Sequence, residues 1–257
     1  MGMEIQLTPR QTPGSSVSQT AAGWHLEMPA GPPRTYRLAQ LDDYSGMPRN
    51  HFLHSPPWTL RLRVRISAAN LPGTWGFGLW NDPFGFSLGF GGQAGRLPAL
   101  PQTAWFMHAS LPNWLSLRDD PKTIPANGFF AGTFCSPNLP SFLFMPGLLA
   151  VPLSAIRPVS RLLRRLTGRI IRQDAAPINV NVTQWHEYSF VWLDKSCTFR
   201  VDGSEILSTP RSPRPPLGLV IWIDNQFAAW TPQGRLAYGT LENPAAWLEI
   251  GNLTVQS

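Results

Sequence analysis

An uninterrupted alternation of side chains between residues 60 and 66 constrains the fold of this chain most. Aliphatic residues occupy the even-numbered positions and arginines the odd-numbered ones: Leu60, Leu62, Val64 and Ile66 against Arg61, Arg63 and Arg65. Successive side chains of a β-strand point to opposite faces of a sheet. The pattern therefore predicts a strand with one face in a core and the other in solvent.

Proline and glycine interrupt the rest of the chain every few residues, with 27 prolines and 22 glycines among 257 residues. Such punctuation opposes long helices and favours many short strands joined by turns. Hydrophobic residues make up 43% of the chain and charged residues 14%, which excludes a disordered protein. We predict a single all-β domain over residues 21–257, after a loose, flexible lead-in over residues 1–20 that is polar and rich in turn-forming residues.

Further strand candidates show alternation or end at a turn signal. They are residues 73–80 (GTWGFGLW), 102–108, 185–192, 198–201, 217–223 and 247–255. The dipeptide Asp202-Gly203 follows one of them directly and is a strong hairpin signal. Together these segments predict an antiparallel meander.

The order of these strands resembles the concanavalin A-like lectin/glucanase superfamily, and above all its family-16 glycoside hydrolases. The resemblance covers residues 58–108 and 183–255, and its most specific part is Trp-His-Glu-Tyr at 185–188 followed by Val-Asp-Gly at 201–203. It implies an all-β fold of two antiparallel sheets packed as a jelly-roll sandwich, with the ligand on the concave sheet. The segment at about 137–178 departs from that pattern and is predicted to be a partly helical insertion.

The carboxylates that the resemblance would require are absent from the strand where they would stand. Family-16 enzymes carry Glu-x-Asp-x-(x)-Glu on the strand after the tryptophan-rich one, because a retaining glycosidase needs a nucleophile and a general acid about 5 Å apart. The corresponding stretch here, residues 102–108, reads QTAWFMH and contains no acid. The resemblance thus implies the frame of these enzymes without their conventional hydrolysis, and whether the chain is an enzyme stays open.

Tryptophans on the strand candidates indicate a ligand site, because an indole ring stacks on the apolar face of a sugar or of another flat molecule. The predicted ligand-contacting residues are Trp80, Trp105, Trp192, Trp222 and Asn225. For each tryptophan, burial in a thick sandwich core is the alternative. The leading prediction is a protein that binds a carbohydrate or a small apolar molecule in an aromatic cleft.

A divergent enzyme on the same scaffold is the second prediction. Asp224 shares the face of Trp222 by alternation and is the best candidate for an acid or base. His108 follows Trp105 at three residues, and Asp82 stands between Asn81 and Pro83, where turn formation is the competing explanation. The enzyme hypothesis requires these three side chains to converge in one pocket.

The insertion supports a third prediction, association with a membrane surface. An apolar stretch with Phe142, Phe144 and Leu148 is broken by prolines and is too short to span a bilayer. It is followed by a basic amphipathic segment with Leu162, Arg164 and Arg165. Such a segment lies on a membrane, closes over a cleft as a lid, or packs on the sandwich with its arginines in solvent.

The remaining features exclude several classes of protein. The net charge of +6 is due largely to the insertion and comes without a nucleic-acid motif, which disfavours a nucleic-acid partner. Prolines around His51 and His54 argue against a metal site, and no cofactor motif is present. Cys135 and Cys197 are expected to be free thiols. The N-terminus lacks a secretory signal, so we expect a cytoplasmic protein, with peripheral membrane association as an alternative.

Overall fold

A computed structural model describes residues 5–83, 96, 99–119, 124–137 and 156–257. Within these ranges the chain forms sixteen β-strands, one α-helix, α1 (Arg157–Ile170), and a short 3-10 helix at Arg49–His51. Almost all the strands belong to two large sheets, which confirms the predicted all-β class.

Sheet A contains seven antiparallel strands. In spatial order they are β1 (Thr8–Gln11), β4 (Leu38–Asp42), β13 (Gly218–Asp224), β6 (Thr74–Trp80), β7 (Thr103–Ala109), β8 (Gly128–Cys135) and β9 (Arg172–Pro177).

Sheet B also contains seven antiparallel strands. In spatial order they are β12 (Ser204–Thr209), β11 (Ser196–Val201), β10 (His186–Leu193), β5 (Trp58–Ile66), β16 (Ala246–Gln256), β3 (Gly23–Met28) and β2 (Ser16–Thr20). A separate hairpin consists of β14 (Gln226–Trp230) and β15 (Leu236–Thr240).

The two sheets face each other across an apolar core, so the architecture is the predicted antiparallel sandwich. Phe106 of sheet A contacts Tyr188 and Phe199 of sheet B, with ring centroids 5.2 and 5.3 Å apart. Strand β5 behaves as its alternation predicts: Leu60 is fully buried, whereas Arg61 on the opposite face is exposed. Burial of these alternating aliphatic and aromatic faces supplies the main stabilising term of the fold.

The first twenty residues differ from the predicted flexible lead-in. Residues 8–11 pair with β4 and residues 16–20 pair with β3, so this segment supplies an edge strand to each sheet. Both strands are short and mostly exposed, which is typical of sheet edges. Because an edge strand buries little of either face, its sequence carries no alternation, and composition alone misassigned it.

The insertion predicted at 137–178 ends earlier in the structure than in the prediction. Residues 172–177 form β9, which pairs with β8 and closes the edge of sheet A. Ile171, between α1 and β9, is buried and marks the return of the chain to the sandwich. The helical part that the sequence predicted is confirmed as α1, residues 157–170.

Candidate functional site

Three tryptophans lie side by side on the face of sheet A that is turned away from sheet B. We call this surface the aromatic face; its indoles are Trp80, Trp105 and Trp222. The ring centroids of Trp105 and Trp222 are 5.7 Å apart, and those of Trp80 and Trp105 are 6.3 Å apart. Each indole is 7–8% exposed, so the three rings form a continuous and largely covered apolar layer.

Two glycines of β6 make room for these rings. A Cβ atom at Gly76 would stand 2.7 Å from Cη2 of Trp222, and one at Gly78 would stand 2.7 Å from Cβ of Trp105. Both distances are shorter than carbon atoms tolerate, so any larger residue would displace an indole. The glycines in GTWGFGLW thus explain why two tryptophans from strands on either side of β6 can approach each other.

A polar chain occupies one end of the aromatic face. Trp222 Nε1 donates a hydrogen bond of 2.9 Å to Thr74 Oγ1, which donates one of 2.7 Å to Asp224 Oδ1. The backbone N–H of Gln226 donates to the same carboxylate oxygen at 3.2 Å. Burial raises the pKa of Asp224 to about 6, because desolvation outweighs these hydrogen bonds to its charged form.

One hydrogen-bond donor on the aromatic face has no partner. Within the part of the chain that the structure describes, Trp105 Nε1 is buried and makes no hydrogen bond. The indole nitrogens of its neighbours Trp80 and Trp222 both donate to hydroxyl groups. An unsatisfied buried donor is unfavourable by about 1–3 kcal/mol, so a ligand or water that accepts from Trp105 would be stabilising.

The opposite end of the aromatic face has its own polar group. Trp80 Nε1 donates to the Tyr44 hydroxyl at 2.7 Å, and Gln40 Nε2 donates to Asp42 Oδ2 at 2.8 Å. Asp42 and Asp224 lie on neighbouring strands, but their register positions are four residues apart. At about 3.3 Å per residue this separates them by roughly 13 Å along the strands. Glycosidase carboxylates stand about 5–9.5 Å apart, so the two acids do not form such a pair.

A small cavity borders the aromatic face on its β8 and β9 side. Its volume is about 10 Å³, which is room for a single water molecule. Phe130, Gly132 and Phe134 of β8 contribute to its wall. The Phe134 ring meets Trp105 edge to face at 6.3 Å, so the cavity adjoins the indole layer.

Asp82 and Asp224 lie at opposite ends of β6. Asp82 follows β6 at the end opposite Thr74, in the left-handed conformation with φ of 46°. Arg96 Nη1 donates to its carboxylate at 2.6 Å, and Arg49 Nη2 donates to its carbonyl at 2.6 Å. The turn explanation considered for this residue therefore fits its position, and an acid/base role beside Asp224 does not.

His108 lies on the other side of sheet A from Asp224. Its ring stacks on Trp75 at a centroid distance of 5.5 Å, within the core between the sheets. Burial lowers the pKa of His108, because desolvation disfavours the imidazolium form. The three side chains predicted to act together, Asp224, His108 and Asp82, are thus not brought together.

Two predicted ligand contacts are structural. Trp192 is fully buried between the sheets on β10, where its Nε1 donates to Ser212 Oγ at 2.9 Å. Asn225 Oδ1 accepts from the Arg37 backbone N–H, while its Nδ2 donates to the carbonyls of Thr35 and Leu241. All polar atoms of the Asn225 side chain therefore hold loops together.

The sequence missed Thr74 and Tyr44 as partners of the indoles. Thr74, Gly76 and Gly78 are two residues apart on β6 and therefore share the aromatic face. The same alternation could have predicted that the Thr74 side chain lies on this face. Tyr44 lies after β4, and no local pattern connects it to Trp80.

The residues predicted to form a lid or membrane contact fall into two groups. Phe142, Phe144 and Leu148 lie outside the described residues. On α1, Leu162 and Arg165 are exposed, whereas Arg164 is buried and bonded to the sandwich, against the prediction of a lid or membrane contact. None of the helices in the described ranges is both long and apolar enough to cross a bilayer.

Neither cysteine is paired in the structure. Cys135 and Cys197 are free thiols, and burial raises the pKa of each to about 12. No group of three His, Cys, Asp or Glu side chains in the described ranges is placed to hold a metal ion.

The chain is similar, at low sequence identity, to solved structures of lectins and glucanases. A legume lectin-like domain from Entamoeba histolytica is 8% identical with a TM-score of 0.49, covering 98% of this chain and 89% of that one. A family-16 endo-glucanase from Bacteroides ovatus is 8% identical with a TM-score of 0.48, covering 98% and 96%. The carbohydrate binding module CBM66 from Bacillus subtilis is 9% identical with a TM-score of 0.39, covering 98% and 95%.

The predicted two-sheet antiparallel sandwich is confirmed by the two seven-stranded sheets of the structure itself. All three TM-scores are below 0.5, and these similarities carry no information on ligand or activity. No protein-family model matches the sequence, and no curated protein matches it.

Proposed function

We propose that the aromatic face binds a carbohydrate. The observation that carries this proposal is the pair Trp105 and Trp222, whose rings meet 5.7 Å apart over the glycines of β6. Indoles pack on the C–H face of a sugar ring, and a polar group at the edge of such a platform orients the hydroxyls. Asp224 and Thr74 supply that polar edge.

The chemistry of the donors and acceptors supports a hydroxylated ligand over a wholly apolar one. Trp105 Nε1 is an unpartnered donor, and Asp224 offers carboxylate oxygens as acceptors. A sugar hydroxyl both accepts from a donor and donates to a carboxylate.

The placement of the acids supports binding over bond cleavage. Among the predicted catalytic residues, the aromatic face carries Asp224 alone, while His108 is on the core side of the sheet and Asp82 is at the far end of β6. No observation on the described residues favours the enzyme alternative over binding.

A glycan array followed by tryptophan fluorescence titration tests the proposal. We expect selective binding of short saccharides, with fluorescence reporting the contact at the indoles. Trp222→Phe and Trp105→Phe should each weaken binding about tenfold, because each shortens the platform and Trp105→Phe also removes a donor.

Trp247→Phe is the matched control. Trp247 is half-buried on the outer surface of sheet B, where Arg65 stacks on it at 5.4 Å, so the same substitution there leaves the aromatic face intact. Equal weakening by all three variants would contradict a site at the aromatic face. If no saccharide bound while a small apolar probe changed the tryptophan fluorescence, the proposal that the ligand is a carbohydrate would be contradicted.

A further inference from the structure

Helix α1 is docked on the sandwich through its polar residues. Arg164 Nε donates to the Trp230 carbonyl at 2.8 Å, and its Nη2 donates to the carbonyls of Ser116 and Arg118 at 2.9 and 3.0 Å. Its Nη1 pairs with the Asp119 carboxylate. One buried guanidinium thus satisfies four acceptors, which fixes the helix on the sandwich.

A second contact one turn earlier repeats this arrangement. Ser160 is fully buried and its Oγ accepts a hydrogen bond of 2.9 Å from Trp230 Nε1. Ser160 and Arg164 are four residues apart and therefore lie on the same side of the helix. That inward side of α1 is polar, which is the reverse of an ordinary surface helix.

Three apolar residues of α1 face away from this docked side. Leu162, Leu166 and Ile170 are 58%, 43% and 46% exposed and follow one another at intervals of four residues. Beside them runs a second stripe at the same interval, formed by exposed arginines: Arg157, Arg161, Arg165 and Arg169. The sequence of the helix contains no acidic residue.

The hairpin that contacts the docked side of α1 also carries two exposed large side chains. Leu236 lies directly opposite Trp230, the residue that contacts Ser160 and Arg164, and it is 41% exposed. Tyr238, two residues further on the same face of β15, is 50% exposed. We call the outward side of α1, formed by the leucine and arginine stripes, the α1 surface.

We propose that the α1 surface binds anionic membranes, with the leucines entering the headgroup region and the arginines pairing with lipid phosphates. An anionic bilayer surface presents lipid phosphates and, just beneath them, the apolar acyl chains. The arginine stripe complements the phosphates and the neighbouring leucine stripe complements the acyl chains, with no carboxylate on the helix to repel the lipid. A second copy of this chain is a poorer occupant, because a two-fold contact would place equal arginine stripes against each other.

Flotation with lipid vesicles tests this proposal on the full chain. We expect binding to phosphatidylcholine vesicles that contain phosphatidylserine, weak binding to pure phosphatidylcholine, and loss of binding at high salt. Leu162→Gln with Leu166→Gln should reduce the bound fraction more than about tenfold, since both side chains lose their apolar contact with lipid. Arg165→Gln with Arg169→Gln should weaken partitioning about 30-fold.

Arg61→Gln with Arg63→Gln is the matched control for charge. Both residues are exposed on β5 of sheet B, so this pair removes the same net charge from another surface. Its binding should stay within about twofold of the unmodified chain. An equal loss in both arginine pairs, full binding by the leucine variant, or no binding to anionic vesicles would each overturn the proposal.

A dye attached at one position of α1 reports directly whether the α1 surface contacts the membrane, even if the chain can also bind through another surface. The native thiols have pKa values of about 12 and react slowly near neutral pH, so Leu166→Cys labels selectively with an environment-sensitive dye. We expect a blue shift of its emission on anionic vesicles and none for Arg61→Cys. Vesicle binding without a shift at position 166 would overturn the proposal.

Discussion

Trp222 and Asp224 project from the same face of β13 and share one hydroxyl group, that of Thr74. The indole N–H of Trp222 donates to this hydroxyl at 2.9 Å, and the hydroxyl donates to the carboxylate at 2.7 Å. Both residues are at least nine-tenths buried. The shared hydroxyl therefore satisfies a donor and an acceptor that would otherwise be unpaired in an apolar environment.

Replacement of that hydroxyl by a methyl group tests its importance. Thr74→Val keeps the shape of the side chain but leaves Trp222 Nε1 without an acceptor and removes a donor from Asp224. We expect the free energy of unfolding to fall by about 1–3 kcal/mol in urea titrations. Thr59→Val, on the half-exposed side of β5, is the control and should change stability by less than about 0.5 kcal/mol. Equal effects would show that the Thr74 hydroxyl has no special role.

The raised pKa of Asp224 predicts a specific pH dependence. In the folded chain this pKa is about 6, against an ordinary value of 3.8, so between these values the folded state binds more protons than the unfolded state. The contribution of Asp224 to stability is therefore fully present below about pH 3.8 and is lost as the pH rises through about 6. The loss amounts to about 3 kcal/mol.

Asp224→Asn removes this dependence while keeping an acceptor for Thr74. We expect the stability of the variant relative to the unmodified chain to improve by up to about 3 kcal/mol between acidic and neutral pH. Urea unfolding of both proteins across this pH range measures the difference between their free energies of unfolding. The contributions of all other titrating groups cancel in this difference. A difference that does not vary with pH would contradict a raised pKa at Asp224.

Gly76→Ala should disturb the aromatic face by steric conflict. The added Cβ would stand 2.4 Å from the Phe106 carbonyl oxygen and 2.7 Å from the Trp222 ring. We expect a loss of about 1–3 kcal/mol in unfolding free energy and an altered tryptophan emission spectrum. Gly128→Ala is the control for the emission spectrum: its Cβ meets nothing within 4 Å, and the strain from its φ of 89° acts on the backbone alone, away from the indoles. Unchanged emission in Gly76→Ala would argue against close packing over β6.

Arg164 should be far more important for stability than its neighbour Arg165. Arg164→Leu leaves the carbonyls of Ser116, Arg118 and Trp230 without their donor, and we expect a loss of about 2–4 kcal/mol. Arg165→Leu, at an exposed position of the same helix, should change stability by less than about 0.5 kcal/mol. Hydrogen exchange of α1 should accelerate in the first variant only. Similar exchange in both variants would contradict the anchoring role.

The thiols should be unreactive in the native protein. With pKa values raised to about 12 by burial, Cys135 and Cys197 are almost entirely protonated near neutral pH, and the thiolate is the reactive species. A chromogenic disulfide reagent should react slowly with the folded chain and rapidly with both thiols in denaturant. Fast reaction of the folded chain would contradict the burial of these side chains.

The sequence by itself determined the all-β class and several of the central strands. Alternation over residues 60–66 predicted β5 because the period of a strand is local and needs no partner to be visible. The glycine and aromatic alternation of β6 likewise indicated which residues share a face. The sequence also identified Trp80, Trp105 and Trp222 as aromatic candidates, although it grouped them with Trp192.

Tertiary structure decided which tryptophans lie in the core and which lie on the aromatic face. Trp192 and Trp222 both stand on alternating strands, but Trp192 belongs to sheet B and points between the sheets, while Trp222 belongs to sheet A and points outward. Arg164 was indistinguishable from Arg165 by periodicity, and only the nearby carbonyls of Ser116 and Trp230 made its burial favourable. Periodicity is a property of one segment, whereas burial and hydrogen bonding depend on what other segments place opposite it.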